Sequence, residues 1–152
     1  MEKIKKLRKL FKTFDLDGYI VPKNNNFFGE YVLTPEDNLK YISNFTGSAG
    51  FAVILKNKNY MFVDGRYTIQ AGIQCGDQFK ICTIPKKYPY NIFKQKNLKL
   101  GFDPKLHTEN SLNGLFRNPF IKLRPINKNL IDLLWKREKN LNIKPFYFIK
   151  DK

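Results

Sequence analysis

The stretch 44–71 reads NFTGSAGFAVILKNKNYMFVDGRYTIQA, and it contains the strongest structural signal in the chain. Two apolar and β-branched runs, residues 51–55 and 60–63, flank the polar tetrapeptide 56–59, whose asparagines tolerate positive φ. This pattern predicts a β-hairpin. The dipeptide Asp64-Gly65 ends the second strand, and the apolar spacing after it predicts a helix that continues to about Gln74.

Elements of both kinds also precede the hairpin. Near the amino terminus, Ile4, Leu7 and Phe11 recur at the spacing of one helical face. Residues 18–22 (GYIVP) form a short apolar run closed by a proline, which is typical of a buried strand. Thr34 is a capping residue followed by a proline and two acids, so a short helix is expected to begin there.

The same alternation continues after the hairpin. Strands are predicted at residues 79–84, 98–102 and 120–123, and residues 130–135 (LIDLLW) are predicted to close the domain as a helix with Trp135 as a core anchor. Strands mixed with helices around one hairpin predict an α/β fold, a three-layer α-β-α arrangement whose mixed, mostly parallel sheet includes the hairpin. The domain is expected to span residues 1–136, and residues 137–152 to be a linker and the start of a further domain.

The charge balance invites a nucleic-acid interpretation. The formal net charge is +15, with 28 Lys and Arg against 13 Asp and Glu. However, nearly all the cations are lysines scattered along the chain, and no helix-turn-helix, zinc-finger or aromatic RNA-binding pattern is present. Specific recognition of nucleic acid is therefore not expected, and a basic protein that binds RNA or another polyanion remains the alternative function.

The basic amino terminus could also suggest targeting or membrane binding. No uninterrupted apolar stretch follows its charges, which argues against a targeting peptide. An amphipathic helix packed on the core is favoured, with a helix on a membrane surface as the alternative. No segment approaches the roughly 18 apolar residues of a spanning helix, so we expect a cytoplasmic protein without a membrane partner.

Few residues here are suited to metal binding or redox chemistry. Cys75 and Cys82 do not form a CxxC pattern, and we expect reduced, partly buried thiols. The single histidine, His107, has no second histidine with which to bind a metal, so it is assigned no catalytic role.

Two motifs in the opening stretch occur in order with a hairpin between them, NFTGSAGF at 44–51 and FVDGRYTIQA at 62–71. This pair is similar to the paired motif in the first domain of Xaa-Pro aminopeptidases. Supporting matches at residues 19–22 (YIVP), 101–104 (GFDP) and 129–135 (NLIDLLW) extend the resemblance over almost the whole chain. The resemblance implies a creatinase/prolidase-type amino-terminal domain, followed in the family by a second domain of similar fold.

The family's activity is expected to depend on residues that this chain does not contain. Its members remove the amino-terminal residue of peptides whose second residue is proline, using two divalent metals, commonly manganese, that activate a water. The ligands are two Asp, two Glu and one His in a carboxy-terminal domain of pita-bread fold, and no residue of this chain matches any of them. The resemblance therefore implies no catalytic residue, metal ligand or cofactor in this chain, which is expected to be inactive alone.

In the family, the amino-terminal domain covers the active-site entrance, shapes substrate access and helps to hold the assembly together. The partners implied for this chain are the missing second and catalytic domains, on the same chain or on a separate polypeptide, and a peptide substrate. A homodimer of the full enzyme is also implied.

Four residues are candidates for proximity to substrate or for a domain interface: Asp64, Arg66, Tyr67 and Ser48. Asp64 is expected to cap the helix that follows it. Arg66 would then lie in the first helical turn, where a positive charge opposes the helix dipole. Either a carboxylate outside this domain holds its guanidinium, or Asp64 or another acid of the domain pairs with it. Ser48 lies in the glycine-rich segment 46–50, which is expected to be a tight turn and not a phosphate loop, because it leads into a strand.

Overall fold

The computed structural model describes residues 2–29, 31–94 and 97–137, so the linker expected at residues 137–152 lies, except for its first residue, outside the described residues. The described helices are α1 (Glu2–Thr13), α2 (Asn38–Ser43), α3 (Thr68–Cys75), α4 (Pro89–Ile92) and α5 (Glu109–Phe116). The described strands are β1 (Gly18–Pro22), β2 (Gly50–Leu55), β3 (Asn59–Asp64), β4 (Lys80–Ile84), β5 (Leu98–Phe102) and β6 (Ile121–Pro125). Within these ranges no helix is long and apolar enough to cross a membrane.

The strands of the described part form one sheet in the order β4-β3-β2-β1-β5-β6. The pairs β3–β4, β1–β5 and β5–β6 are parallel, whereas β2 is antiparallel to both β1 and β3. Five strands therefore run in one direction, and β2 alone runs against them. The predicted mixed, mostly parallel sheet is confirmed.

Helices cover both faces of this sheet. Successive side chains of a strand point to opposite faces, and in β2 they enter two separate cores. Ala52 and Ile54 pack in one core with Phe11 of α1, whereas Val53 packs in the other with Phe116 of α5. The three-layer α-β-α arrangement is therefore confirmed.

The predicted hairpin forms, and α1 is tied to its turn. Arg8 of α1 donates from Nε to the Leu55 carbonyl at 2.8 Å and from Nη2 to Asn59 Oδ1 at 2.9 Å. Neither Asn57 nor Asn59 has a positive φ, so the turn does not use the conformation that its asparagines would tolerate. The Leu55 N–H donates to the Lys58 carbonyl at 2.8 Å and closes the turn, and the Arg8 contacts add to this local bond from a distant helix.

The second helix begins later than predicted. Thr34–Glu36 is a separate 3-10 turn, and Asp37 caps α2 by accepting a hydrogen bond from the Lys40 N–H at 2.9 Å. The Asp37 carboxylate is buried and pairs with Lys23 at 2.5 Å. The Asp37 carboxylate thus serves both as the cap of α2 and as the partner of a lysine 14 residues earlier, a contact that local sequence does not reveal.

The predicted closing helix does not form. Residues 130–134 are consecutive turns, in which the backbone N–H of Asp132 donates to the Asn129 carbonyl at 3.1 Å. The buried Tyr19 hydroxyl accepts from the Leu130 N–H at 3.3 Å, and this contact holds the turns against β1. Trp135 is only partly buried and stacks on Tyr41 with ring centroids 4.6 Å apart, so it lies at the edge of the core and not in its centre.

Replacing Gly18 with alanine should destabilise the fold. A Cβ at Gly18 would lie 2.6 Å from the backbone oxygen of Ile54, which the sheet hydrogen bonds hold in place. We expect the free energy of unfolding, measured in urea, to fall by about 1–3 kcal/mol. Gly114→Ala is the control, because Gly114 lies within α5 with nothing within 4 Å of its Cβ position, and alanine there should add about 0.5–1 kcal/mol. Equal effects of the two substitutions would contradict the close approach of β1 and β2.

Candidate functional site

A crevice of about 370 Å³ opens at the edge of the sheet where the parallel strands end. Pro22 of β1, Asp64 of β3 and Ile84 of β4 are the last residues of their strands, and all three line it. Ligands of open α/β sheets bind outside the carboxyl ends of the strands. We call this cavity the carboxyl-edge crevice, and its location makes it the candidate functional site.

The glycine-rich loop before β2 forms one side of this site. A Cβ at Gly47 would lie 2.3 Å from Cζ of Phe45 and 2.9 Å from Cδ1 of Tyr67. A Cβ at Gly50 would lie 2.9 Å from the Phe62 carbonyl oxygen. The loop is packed too closely for larger residues at these positions, and it leads directly into β2. These contacts support the interpretation of a tight structural turn.

The four candidate residues of the sequence form one continuous set of contacts. Asp64 Oδ1 accepts hydrogen bonds from the backbone N–H and from Nε of Arg66, at 2.9 and 3.0 Å. The Arg66 guanidinium lies over the ring of Tyr67, 5.7 Å from its centroid. The Tyr67 hydroxyl lies 2.7 Å from Oγ of Ser48. We call these four residues the rim cluster, and two of them, Ser48 and Asp64, line the crevice.

The internal ion pair that the sequence left open for Arg66 is present. The Arg66 backbone N–H and then its side chain lower the pKa of Asp64, so this carboxylate is ionised at neutral pH. The pair is exposed, with 76% of the Arg66 side chain and 45% of the Asp64 side chain accessible. Exposed pairs contribute little to stability. We therefore expect the pair between Arg66 and Asp64 to contribute little to the stability of this domain.

A buried ion pair that sequence reasoning missed lies beside the crevice. Lys23, which lines it, pairs with Asp37 at 2.5 Å, and only 12% and 5% of the two side chains are accessible. The two residues are 14 positions apart and belong to different elements, so no local pattern reveals their contact. Because each charge has its partner, neither Lys23 nor Asp64 offers an uncompensated charge to the crevice.

His107, to which the sequence analysis assigned no role, also lines the crevice. Its ring contacts Phe102 edge to face, with centroids 5.8 Å apart, and its Nε2 is buried without a hydrogen-bond partner among the described residues. Burial lowers the pKa of His107 to about 4. The imidazole is therefore neutral at neutral pH. Burial of an unpaired ring nitrogen has no signal in sequence, because it depends on what packs around the ring.

The described residues offer no metal site. Among residues 2–29, 31–94 and 97–137, no group of three or more His, Cys, Asp or Glu side chains could hold a metal ion. Cys75 and Cys82 are buried free thiols in the cores on opposite faces of the sheet. Burial raises the pKa of both thiols, so they are poor nucleophiles.

The single histidine should make the stability of this chain depend on pH. The unfolded chain binds a proton on His107 near pH 6.5, whereas the folded chain does so only near pH 4. Stability should therefore be lost as the pH falls from about 6.5 towards 4. Between pH 7 and pH 5 we expect a loss of about 2 kcal/mol in urea unfolding.

His107→Phe is the matched control, because it keeps a ring against Phe102 and removes the titrating group. Asp15, Asp17 and Asp64 have lowered pKa values, so they titrate below this range in both proteins. An NMR titration of the His107 ring gives the folded pKa directly. A pKa near 6.5, or the same loss of stability in the variant, would contradict burial of the ring.

Comparison with known proteins identifies the family of this chain. Residues 3–130 match the model of the Creatinase/Prolidase N-terminal domain. A probable Xaa-Pro aminopeptidase P of Coprinopsis cinerea is 35% identical over 142 residues, which cover 88% of this chain and 23% of the relative. A probable Xaa-Pro aminopeptidase P of Laccaria bicolor is 32% identical over 143 residues, covering 88% of this chain and 22% of the relative. The chain thus spans about a quarter of the length of these relatives.

Solved structures show the same fold. The X-prolyl aminopeptidase of Caenorhabditis elegans, described as a cytosolic enzyme with a di-nuclear active site, matches with a TM-score of 0.76 and 25% identity, over 91% of this chain and 26% of the other. The N-terminal domain of the cytoplasmic peptidase PepQ of Mycobacterium tuberculosis matches with a TM-score of 0.69 and 20% identity, over 88% and 98% of the two chains. These matches do not favour a stand-alone polyanion-binding protein. The chain belongs to the family of creatinase/prolidase amino-terminal domains, in the form that occurs in Xaa-Pro aminopeptidases.

Proposed function

We propose that this chain is the non-catalytic amino-terminal domain of a cytoplasmic, metal-dependent Xaa-Pro aminopeptidase. It caps the entrance to an active site formed by the rest of the enzyme, and it supports assembly of a homodimer. The observation that carries the proposal is the rim cluster, which presents a charged, exposed arginine at the carboxyl edge of the sheet. This edge is where open α/β sheets bind their ligands.

The geometry of Arg66 suits an acceptor outside the domain. Only Nε of its guanidinium has a hydrogen-bond partner among the described residues, so both Nη groups can donate in parallel to one carboxylate. Asp64 holds Nε and thereby limits the directions in which this fork can point. The carboxylate would belong either to the catalytic part of the enzyme or to the carboxyl terminus of a peptide substrate.

The metals of such an enzyme would be held elsewhere. A site for two divalent ions, which we expect to be manganese, needs several carboxylate and imidazole ligands close together. The described residues do not fit this requirement. The contribution of this domain is therefore to position and enclose, and the catalytic chemistry belongs to the remainder of the enzyme.

The purified chain should not hydrolyse a peptide with proline in the second position, even with manganese added. The reason is that the described residues provide no ligand set for a catalytic metal. The measurement is release of the amino-terminal residue, with and without a chelator. Turnover that survives repurification and is abolished by the chelator would contradict the proposed division of roles.

Removing the guanidinium in Arg66→Ala should affect the enzyme and not the fold. In the isolated chain the melting temperature should change little, because the pair with Asp64 is exposed. In a full-length enzyme that carries this domain, kcat/KM should fall about tenfold or more, as expected when a charged hydrogen bond is lost.

Arg124→Ala is the matched control, because Arg124 is another exposed arginine paired with an aspartate, Asp15, but it lies on β6. It should leave both the melting temperature and kcat/KM unchanged. A large loss of stability in Arg66→Ala with unchanged activity per folded molecule would show that Arg66 is structural. An equal loss of activity in both variants would show a nonspecific effect of charge.

A further inference from the structure

We propose that the carboxyl-edge crevice binds a neutral aromatic ring that carries one hydroxyl group, that is, a phenol. The inference concerns the isolated chain and does not depend on the proposed enzymatic role. It rests on the aromatic and aliphatic side chains that line the crevice, the pairing of its charges and the unpartnered nitrogen of His107.

The crevice is large enough to admit a single ring, and its lining suits one. Its volume of about 370 Å³ is near the lower end of the range for small-molecule pockets. Phe51 and Phe62 line it and stack on each other with centroids 4.8 Å apart. Ile20 and Leu115 add aliphatic surface from the sheet and from α5. Aromatic rings pack favourably against such surfaces through offset or edge-to-face contacts.

The charges around the crevice favour a neutral ligand. Lys23 and Asp64 are the lysine and aspartate that line it, and each is paired, with Asp37 and with Arg66. A charged ligand would have to compete with these partners or lose its hydration without compensation. A neutral ring avoids this cost.

His107 is the reason for proposing a hydroxyl group on the bound ring. Its Nε2 is buried without a partner in the described part of the chain, and an unsatisfied buried polar atom carries a free-energy cost. A hydroxyl group can donate to a bare ring nitrogen or accept from a protonated one, so it satisfies either neutral tautomer. Because Nε2 is buried in the free chain, the ring should turn when the ligand enters.

The direct test is an NMR titration of the isolated chain with two probes that differ by one hydroxyl, p-cresol and toluene. We expect p-cresol to bind with a dissociation constant on the order of millimolar, to shift resonances of Phe51, Phe62 and Leu115, and to shift the ¹⁵N signal of His107 Nε2. Toluene should bind about fivefold more weakly, because it makes no hydrogen bond. Equal affinities of the two probes, or shifts confined to another surface, would overturn the proposal.

Three variants sharpen this test. His107→Phe should abolish the preference for p-cresol over toluene while leaving a ring against Phe102. Ser111→Trp should fill the crevice from α5 and abolish binding of both probes. Asn113→Trp is its matched control, because Asn113 lies exposed on the same helix and does not line the crevice. Unchanged binding in Ser111→Trp, or a preference for p-cresol that persists in His107→Phe, would contradict the assignment.

The phenol could belong to a free small molecule or to a tyrosine side chain of a peptide. A blocked tripeptide with tyrosine at its centre distinguishes these sources. Tighter binding of this peptide than of p-cresol, with added shifts at Ser48 and Asn24 on the rim, would identify a polypeptide as the source. Weaker binding of the peptide would identify a free phenol. Absence of binding by both the peptide and p-cresol would overturn the proposal.

Discussion

The structure depends on burial of the β2–β3 hairpin on both of its faces. Alternate side chains of β2 enter separate cores, so neither face of the hairpin can be left to solvent. Helices are therefore needed on both sides, and α1 and α5 provide the two layers. The same hairpin contains β2, the strand that runs against the other five described strands. β2 lies between β1 and β3 and joins the parallel strands on its two sides into one sheet.

The pairing of this hairpin also assembles the candidate site. Gly50, at the start of β2, lies opposite Val63, near the end of β3. The loop before β2 and the turn after β3 are consequently neighbours, and Ser48 meets Tyr67 although 19 positions separate them. Any shift in register would separate Ser48 from the other members of the rim cluster. The two motifs that identify the family therefore belong to one structural unit.

Two features with different polarity, the rim cluster and the carboxyl-edge crevice, lie at the carboxyl edge of the sheet. The rim cluster is exposed and charged, with a guanidinium fork that is only partly used, so it is suited to contact another domain or a peptide terminus. The crevice beside it has paired charges and a neutral imidazole, so it is suited to an uncharged group. The two features are adjacent, but the rim cluster suits a charged partner and the crevice suits an uncharged ligand. Neither feature contains a group of side chains that could hold a metal ion.

The sequence by itself determined the strands, the hairpin, the mixed fold, the family and the grouping of Asp64, Arg66 and Tyr67. These depend on alternation, on apolar runs and on neighbours along the chain, which local sequence encodes. Only the tertiary structure decided that Asp37 caps α2 and that residues 130–134 are turns. At both places the chain contacts a distant segment, since Asp37 pairs with Lys23 and the Leu130 N–H donates to the Tyr19 hydroxyl. The sequence could likewise not predict the crevice, or that Nε2 of His107 is buried without a hydrogen-bond partner among the described residues. Burial and pairing of a polar atom depend on which elements pack around it, and that is settled only when the sheet and its covering helices come together.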